Sequence, residues 1–265
     1  MLSEANVAKF QLNGYVNGGC LLDDSQVEVL RGELGRVIEE QNKEDVKQPV
    51  MLRNKKRVDD VAVWQVVNIW EASEPFRNLL YAEKIVEEMA QLTGADALRI
   101  WHDQIQYKPA EIGGTTTWHQ DAPLWPIIKP MTEVSAWVAL DDVDEDNGCM
   151  SMVPGSHKWC NQMAFIRSFE GFDGLPDQFE GHEVRVVLCP VKKGEVHYHH
   201  ALTWHGSHDN HSDRPRRALA IHYMTHESRY DASGNHVMKQ FVEVEDGELM
   251  KGEHFPLVWE KADVG

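Results

Sequence analysis

Thr116-Thr117-Trp118-His119-Gln120-Asp121 sets a histidine and an aspartate one residue apart, in a run whose threonines and tryptophan favour extended backbone. Alternate side chains of a β-strand leave the same face, so the His119 imidazole and the Asp121 carboxylate are expected on one side of a sheet. A second histidine follows 86 positions later (205 − 119), in Leu202-Thr203-Trp204-His205-Gly206-Ser207. Two imidazoles and one carboxylate cover one face of an octahedral ferrous ion and leave its other three positions open. Eleven residues beyond (216 − 205), Arg214-Pro215-Arg216-Arg217-Ala218-Leu219 supplies a guanidinium that can clamp an organic acid. Ligands and clamp together predict oxidation chemistry that depends on Fe(II) and 2-oxoglutarate.

The sequence around this stretch is a succession of short strands. From about residue 97 onward, alternating runs are separated by Gly, Pro, Asn and Asp, with strands predicted at 98–108, 115–119, 133–140, 149–153, 183–189, 195–203 and 216–225. Before them, Val27, Leu30, Leu34, Val37 and Ile38 recur at helical spacing after the cap-type residues Asp24 and Ser25, which predicts a helix over 24–42. A second helix is predicted over 74–93, with Pro75 in its first turn and Thr93-Gly94 closing it. Helices followed by many strands predict a mainly β protein with a helical N-terminal layer packed on a jelly-roll sandwich. Since such sandwiches often run past 200 residues as one unit, a single domain is expected over 1–265, with a helical front at 1–95, a jelly-roll core at 96–226 and a C-terminal extension at 227–265. The stretch 159–182 has no clean period but carries Phe165, Ile166, Phe169, Phe172, Leu175 and Phe179, and is expected to be a lid or substrate-facing loop.

Bulk properties narrow the partners. A formal charge of −17 argues against nucleic acid and anionic membrane surfaces, both of which need a basic footprint. It also disfavours a polyanionic acyl-CoA and favours a small neutral or cationic metabolite. The longest apolar runs are far shorter than a membrane span, and Glu4, Asn6 and Lys9 interrupt any signal-peptide core, so a cytoplasmic protein is expected. The four cysteines, Cys20, Cys149, Cys160 and Cys189, form no Cys-x-x-Cys pair and read as reduced thiols. A monomer or a homodimer fits equally well.

His-x-Asp alone says little in a chain of fourteen histidines. Its context says more. Trp118-His119-Gln120-Asp121, Ala136-Trp137-Val138-Ala139-Leu140, Asn147-Gly148-Cys149, Val153-Pro154-Gly155-Ser156-His157-Lys158 and His205-Gly206-Ser207 resemble, in order and spacing, the phytanoyl-CoA dioxygenase-like family. Phe10-Gln11-Leu12-Asn13-Gly14-Tyr15 looks like that family's opening helix and strand. The resemblance implies a double-stranded β-helix of the cupin-like type. It also implies Fe(II) on His119, Asp121 and His205, with 2-oxoglutarate and O2 as cosubstrates and ascorbate as a supporting reductant. Related halogenases lack the carboxylate, so Asp121 points to hydroxylation, with release of succinate and CO2.

Arg216 is separated from Arg217 by strand parity. Arg216, Ala218, Ala220 and His222 share one face, and its alanines leave room for a cosubstrate; Arg217, Leu219, Ile221 and Tyr223 share the bulky face that suits packing on helices. The family's clamp falls at the same distance past the distal histidine. By the same resemblance Trp137, Ser207 and Gln104 line the cosubstrate pocket, although Trp137 also suits a plain core position and Gln104 a cross-strand hydrogen bond. Gln106 shares the Gln104 face. His200 matches a histidine of the family that supports the distal ligand, His197 and His199 share a face suited to substrate contact or to a plain surface position, and His157 suits the ordering of a turn. Two other classes stay open: a cupin-type metal enzyme that does not use 2-oxoglutarate and so needs no Arg216, and a non-catalytic jelly-roll binding module.

Overall fold

The computed structural model describes residues 1–54, 63–169 and 171–262, so positions 55–62, 170 and 263–265 of the expected front, lid and extension lie outside the described residues. Two antiparallel sheets form the sandwich. The larger runs in the order Tyr15–Cys20, Glu195–His200, Val134–Ala139, Arg216–Thr225, Ala97–Lys108, Trp64–Val67 and Met51–Asn54, and Leu257–Glu260 also pairs with Ala97–Lys108. The smaller one runs Val187–Cys189, Met150–Met152, His205–Ser207 and Thr116–His119. This is the jelly roll that the strand pattern predicts.

Side-chain parity decides which face of the large sheet does what. Ile105, Ala136, Val138, Val196, Tyr198, Leu219, Ile221 and Tyr223 point outward and pack with Val27, Leu30, Leu34, Phe76, Leu80, Ile85 and Met89 of the helical layer. Each such side chain removed from water contributes roughly 1.5–3 kcal/mol before entropy is counted. The opposite face carries small and polar groups around the ring of Trp137, and it lines the interior of the sandwich. Burial of one face therefore fixes the register that aims the polar side chains inward.

The first helix, Glu4–Asn13, is capped by Ser3, whose hydroxyl accepts from the Asn6 amide, and ends at Gly14 in the left-handed region at φ 83°. A Cβ at Gly14 would lie 2.5 Å from His157 Nδ1 and from Thr203 Oγ1, so only glycine fits this turn into Tyr15–Cys20. Helix Asp24–Glu39 begins with a capping box between Asp23 and Gln26. The segment predicted as one helix over 74–93 is two, Glu74–Leu80 and Glu83–Thr93, broken at Tyr81-Ala82 where Ala82 is extended at ψ 117°.

Between 159 and 182 the aromatic residues form a small core of their own. Ile166 and Phe179, with Phe165, Phe172 and Leu175, pack on Trp118 of the small sheet and on Val153 and Trp204 at the ends of its strands. The C-terminal extension also has a packing role: Met238, Met250 and Phe255 bury against Trp101, Trp125 and Ile127 beside the sandwich mouth. Among the described residues, no helix is long and apolar enough to cross a membrane.

Candidate metal and oxo-acid site

His119 ends its strand and pairs directly with His205, the first residue of the neighbouring strand. The two ligand strands are thus adjacent members of the small sheet. Asp121 departs from expectation. The strand stops at His119, and Asp121 sits in helical backbone at φ −72° and ψ −52°, capping the short turn Ala122–Leu124. Its amide donates to the Ala201 carbonyl at 2.8 Å, which folds the chain back and returns the carboxylate towards the histidines.

The donor atoms converge. One ligand atom from each of His119, Asp121 and His205 lies within 4.8 Å of the others. Asp121 Oδ1 is 3.5 Å from His119 Nε2 and 3.6 Å from His205 Nε2. His119 Nδ1 lies 2.8 Å from the Thr117 carbonyl and His205 Nδ1 lies 2.9 Å from the Thr203 carbonyl. A carbonyl only accepts, so both Nδ1 atoms carry the proton and both Nε2 lone pairs face Asp121 Oδ1. That is the tautomer a divalent cation needs, and the donor set fits one.

The other carboxylate oxygen is held from behind. Asp121 Oδ2 lies 3.2 Å from His199 Nε2 and accepts from Ser135 Oγ at 3.3 Å, and Ser135 Oγ is 2.7 Å from His222 Nδ1. Burial alone would raise the Asp121 carboxyl, but the imidazoles of His205, His119 and His199 gathered around it hold it well below the usual carboxylate range. Burial, with the charge of His119 adding to it, drives His205 well below the ordinary histidine range. The trio thus presents a carboxylate beside two imidazole Nε2 atoms.

Arg216 is 1% exposed and lies on the inner face. Its Nε donates to the Gly148 carbonyl at 3.2 Å, Nη2 donates to Ser207 Oγ at 3.4 Å, and Nη1 is buried with no partner among the described residues. Its guanidinium carbon sits 5.2 Å over the Trp137 ring. Burial lowers its pKa to about 10, which still leaves it a cation. Arg217 faces outward in a two-point pair with Asp141, at 2.9 Å from Nε and 2.7 Å from Nη2. The parity argument thus places the two arginines on opposite faces. Ala218 and Ala220 lie inside beside Arg216, opposite Gln106 and Gln104.

A cavity of about 230 Å³ opens on these groups, lined by Gln104, Gln106, Thr116, His119, Asp121 and Arg216 and, nearer solvent, by Trp64, Gln65, Trp125 and Arg167. Ser207 and Trp137 border its narrow inner end. Trp137 is 1% exposed and packs with Met150, Met152 and Ala220, so it is core and pocket wall at once. Gly206 lets the wall close, because a Cβ there would lie 2.9 Å from the Thr116 carbonyl oxygen.

The remaining histidines sort by distance from this cavity. His199 meets Asp121 and not the cavity mouth. His197 stacks on Tyr15 at 5.7 Å and lines a different groove, with Lys9 and Arg185. His200 accepts from the Leu202 amide through Nδ1 at 3.1 Å, and its ring sits 5.5 Å from His157 against the first helix. His211 is exposed, whereas His208 is covered by Phe172 at 3.8 Å between ring centres. Sequence reasoning passed over Ser135, Lys108 and the link of His222 to Asp121. Parity was the available signal, since Lys108 shares the face of Gln104 and Gln106.

Comparison with known proteins gives this geometry its context. The family model for phytanoyl-CoA dioxygenase matches residues 10–218. The chain belongs to the phytanoyl-CoA dioxygenase family. It is therefore an enzyme of the non-haem Fe(II)/2-oxoglutarate-dependent dioxygenases, and its cofactors are Fe(II), 2-oxoglutarate and O2. Peroxisomal phytanoyl-CoA dioxygenase of Bos taurus is 27% identical over 251 residues, covering 89% of this chain and 73% of the relative. A probable alpha-ketoglutarate-dependent hypophosphite dioxygenase of Stutzerimonas stutzeri is 32% identical over 155 residues, 55% of this chain and 51% of the relative. Among solved structures, the alpha-ketoglutarate-dependent carbocyclase SnoK from nogalamycin biosynthesis superposes with a TM-score of 0.76 at 26% identity, over 97% of both chains. This member of the family carries the donor trio and an inward arginine in one cavity.

Proposed function

We propose that the enzyme hydroxylates an aliphatic carbon of a small metabolite and converts 2-oxoglutarate to succinate and CO2. One observation carries this reading: three convergent donor atoms share a cavity with a buried, unpaired guanidinium. His119 Nε2, Asp121 Oδ1 and His205 Nε2 would hold Fe(II). Iron bound there supplies the coupling of O2 reduction and oxo-acid decarboxylation to C–H hydroxylation. The protein's own part is placement. His199 and Ser135 fix the carboxylate, and the Thr117 and Thr203 carbonyls fix the imidazoles. Arg216 and Ser207 orient the distal carboxylate of 2-oxoglutarate, with Trp137 as wall and Gln104 within the same cavity. A cupin-type enzyme without an oxo-acid gives no reason for the unpaired Arg216.

The lining also bears on substrate. Besides Asp121, no carboxylate lines the cavity among the described residues, while Arg167, Gln65, Gln104 and Gln106 do. Such a surface suits a neutral or anionic polar molecule better than a cation, which revises the expectation drawn from net charge. A cavity of about 230 Å³ is too small to enclose an acyl-CoA. The test is succinate release across a metabolite library, with iron and ascorbate in air. Stimulation by small polar compounds supports the reading. Efficient turnover of a long acyl-CoA with none of small metabolites overturns it.

A further inference from the structure

Lys108 ends the strand Ala97–Lys108 directly opposite Arg216 in the ladder, and its side chain is fully buried. Three oxygens surround Nζ: Ser207 Oγ at 2.6 Å, the Ser207 carbonyl at 3.4 Å and the His208 carbonyl. Three acceptors match the three N–H groups of an ammonium. Among the described residues neither Lys108 nor Arg216 has an ion-pair partner, whereas nearby Arg214 and Arg217 hold Asp144 and Asp141. Two basic side chains therefore meet in the sandwich interior without a carboxylate paired to them among the described residues. Uncompensated buried charge is costly, and burial with the neighbouring Arg216 holds the Lys108 ammonium well below its ordinary range, so a ligand anion beside the two would relieve that cost.

Ser207 marks the place such an anion would take. A serine oxygen has two lone pairs and one proton. Lys108 donates to it at 2.6 Å and Arg216 Nη2 at 3.4 Å, so both lone pairs are engaged. The Ser207 proton must then be donated, and no acceptor for it exists among the described residues. Arg216 Nη1 is also an unused donor. We propose that Lys108 is a positioning and specificity-determining residue of the oxo-acid site. It acts through Ser207, polarising and aiming that hydroxyl at the distal carboxylate so that the site selects a dicarboxylic over a monocarboxylic 2-oxo acid. The inference rests on the 2-oxoglutarate reading above.

The test compares two ligands that differ only at the distal end: 2-oxoglutarate, and 2-oxovalerate, which carries a methyl group where the second carboxylate stands. Affinities are read by anaerobic calorimetry on the Fe(II)-loaded full chain, without turnover. Lys108→Met should weaken 2-oxoglutarate about tenfold to a hundredfold, the range for a hydrogen bond to a charged group, and change 2-oxovalerate less than threefold. Lys108→Arg, which keeps the charge, should recover most of the preference. Because Lys108 acts through Ser207, the Lys108→Met/Ser207→Ala double variant should be no worse than its worse parent. Equal weakening of both acids would mean that Lys108 merely props the strand, and additive losses in the double variant would mean that it does not act through Ser207. Either result overturns the proposal. If Lys108→Met does not fold, the Lys108→Arg and Ser207→Ala affinities decide on the same ratio of the two acids. Failure of the wild-type protein to bind 2-oxoglutarate at all is a separate outcome, which removes the functional reading along with this one.

Discussion

His205 lies directly across the antiparallel ladder from His119, with the ring centres 4.1 Å apart, and this register pair sets the spacing of the donor atoms. Both imidazoles inherit their position from backbone hydrogen bonds of the small sheet, and both inherit their tautomer from a carbonyl two residues upstream, Thr117 or Thr203. Ligands carried by rigid ladders hold a metal's geometry better than ligands on free loops. Asp121 is the exception, and it is tied down by His199, Ser135 and the Ala201 carbonyl.

The two adjacent arginines should separate cleanly. Arg216→Ala removes one partner of a buried charged contact with the cosubstrate, a loss of about 2–5 kcal/mol, and should raise the 2-oxoglutarate requirement roughly thirty- to several-thousand-fold. Arg217→Ala breaks a largely buried two-point pair with Asp141 that Arg31 also serves, and should cost about 1–3 kcal/mol of stability while leaving the 2-oxoglutarate KM unchanged. Steady-state kinetics with varied 2-oxoglutarate reads both. The opposite ranking would mean that the strand is slipped by one residue.

His199 acts behind the metal. Its replacement by phenylalanine leaves Asp121 Oδ2 with only Ser135, and iron affinity should fall about ten- to a hundredfold, as is usual when the partner of a ligand is lost. Competition against a ferrous chelator under nitrogen measures this. Unchanged affinity would remove His199 from the account. His197→Phe, one strand period away, should leave iron affinity where it was.

Glu133 yields a pH prediction. Both its carboxylate oxygens are buried without a partner among the described residues, and burial raises its pKa from 4.5 to about 8. Between those values the folded iron-free protein keeps a proton that the unfolded chain has released. The stabilisation is therefore complete below about 4.5, lost as pH rises through about 8, and flat above. Glu133→Gln, neutral at every pH, should stabilise the iron-free protein at pH 8 by a few kcal/mol, on the order of the shift, and hardly at all at pH 4. Thermal melts at the two pH values decide the sign. Destabilisation at pH 8 contradicts it.

Residues 159–182 are proposed to work as a lid over the cavity. The Trp118 indole donates to the Phe172 carbonyl at 2.6 Å and stacks on its ring at 4.8 Å, and Arg167 lines the cavity, so the segment touches both the ligand strand and the substrate space. Cleavage here by a low dose of protease should slow when iron, 2-oxoglutarate and substrate are all bound. The same cleavage rate with and without ligands would make the segment a fixed cap.

Much of this was legible in the sequence, and the rest was hidden for physical reasons. The strand Arg216–Thr225 was readable to the residue because bulky and small side chains alternate along it without a break. The break at Tyr81-Ala82 was hidden because Phe76, Leu79, Leu80, Ile85 and Met89 keep an apolar face on both sides of it. Alternation also cannot show where a strand stops, which is why Asp121 was placed on a strand and not in the turn beyond it. The C-terminal extension gave no pattern, since Met238 and Phe255 are buried in a cluster that draws on residues more than 100 positions away in sequence, such as Trp101 and Trp125. Pairwise relations such as Lys108 with Ser207 exist only once two sheets are closed on each other.

The most direct test is anaerobic absorbance spectroscopy on the Fe(II)-loaded chain. Addition of 2-oxoglutarate should produce a weak visible charge-transfer band, as the oxo-acid chelates an iron held by only three protein ligands. Asp121→Ala and Arg216→Ala should each lose the band at the same ligand concentration. A wild-type protein that stays colourless with saturating 2-oxoglutarate, or an Asp121→Ala protein with an undiminished band, would contradict the assignment of this cavity.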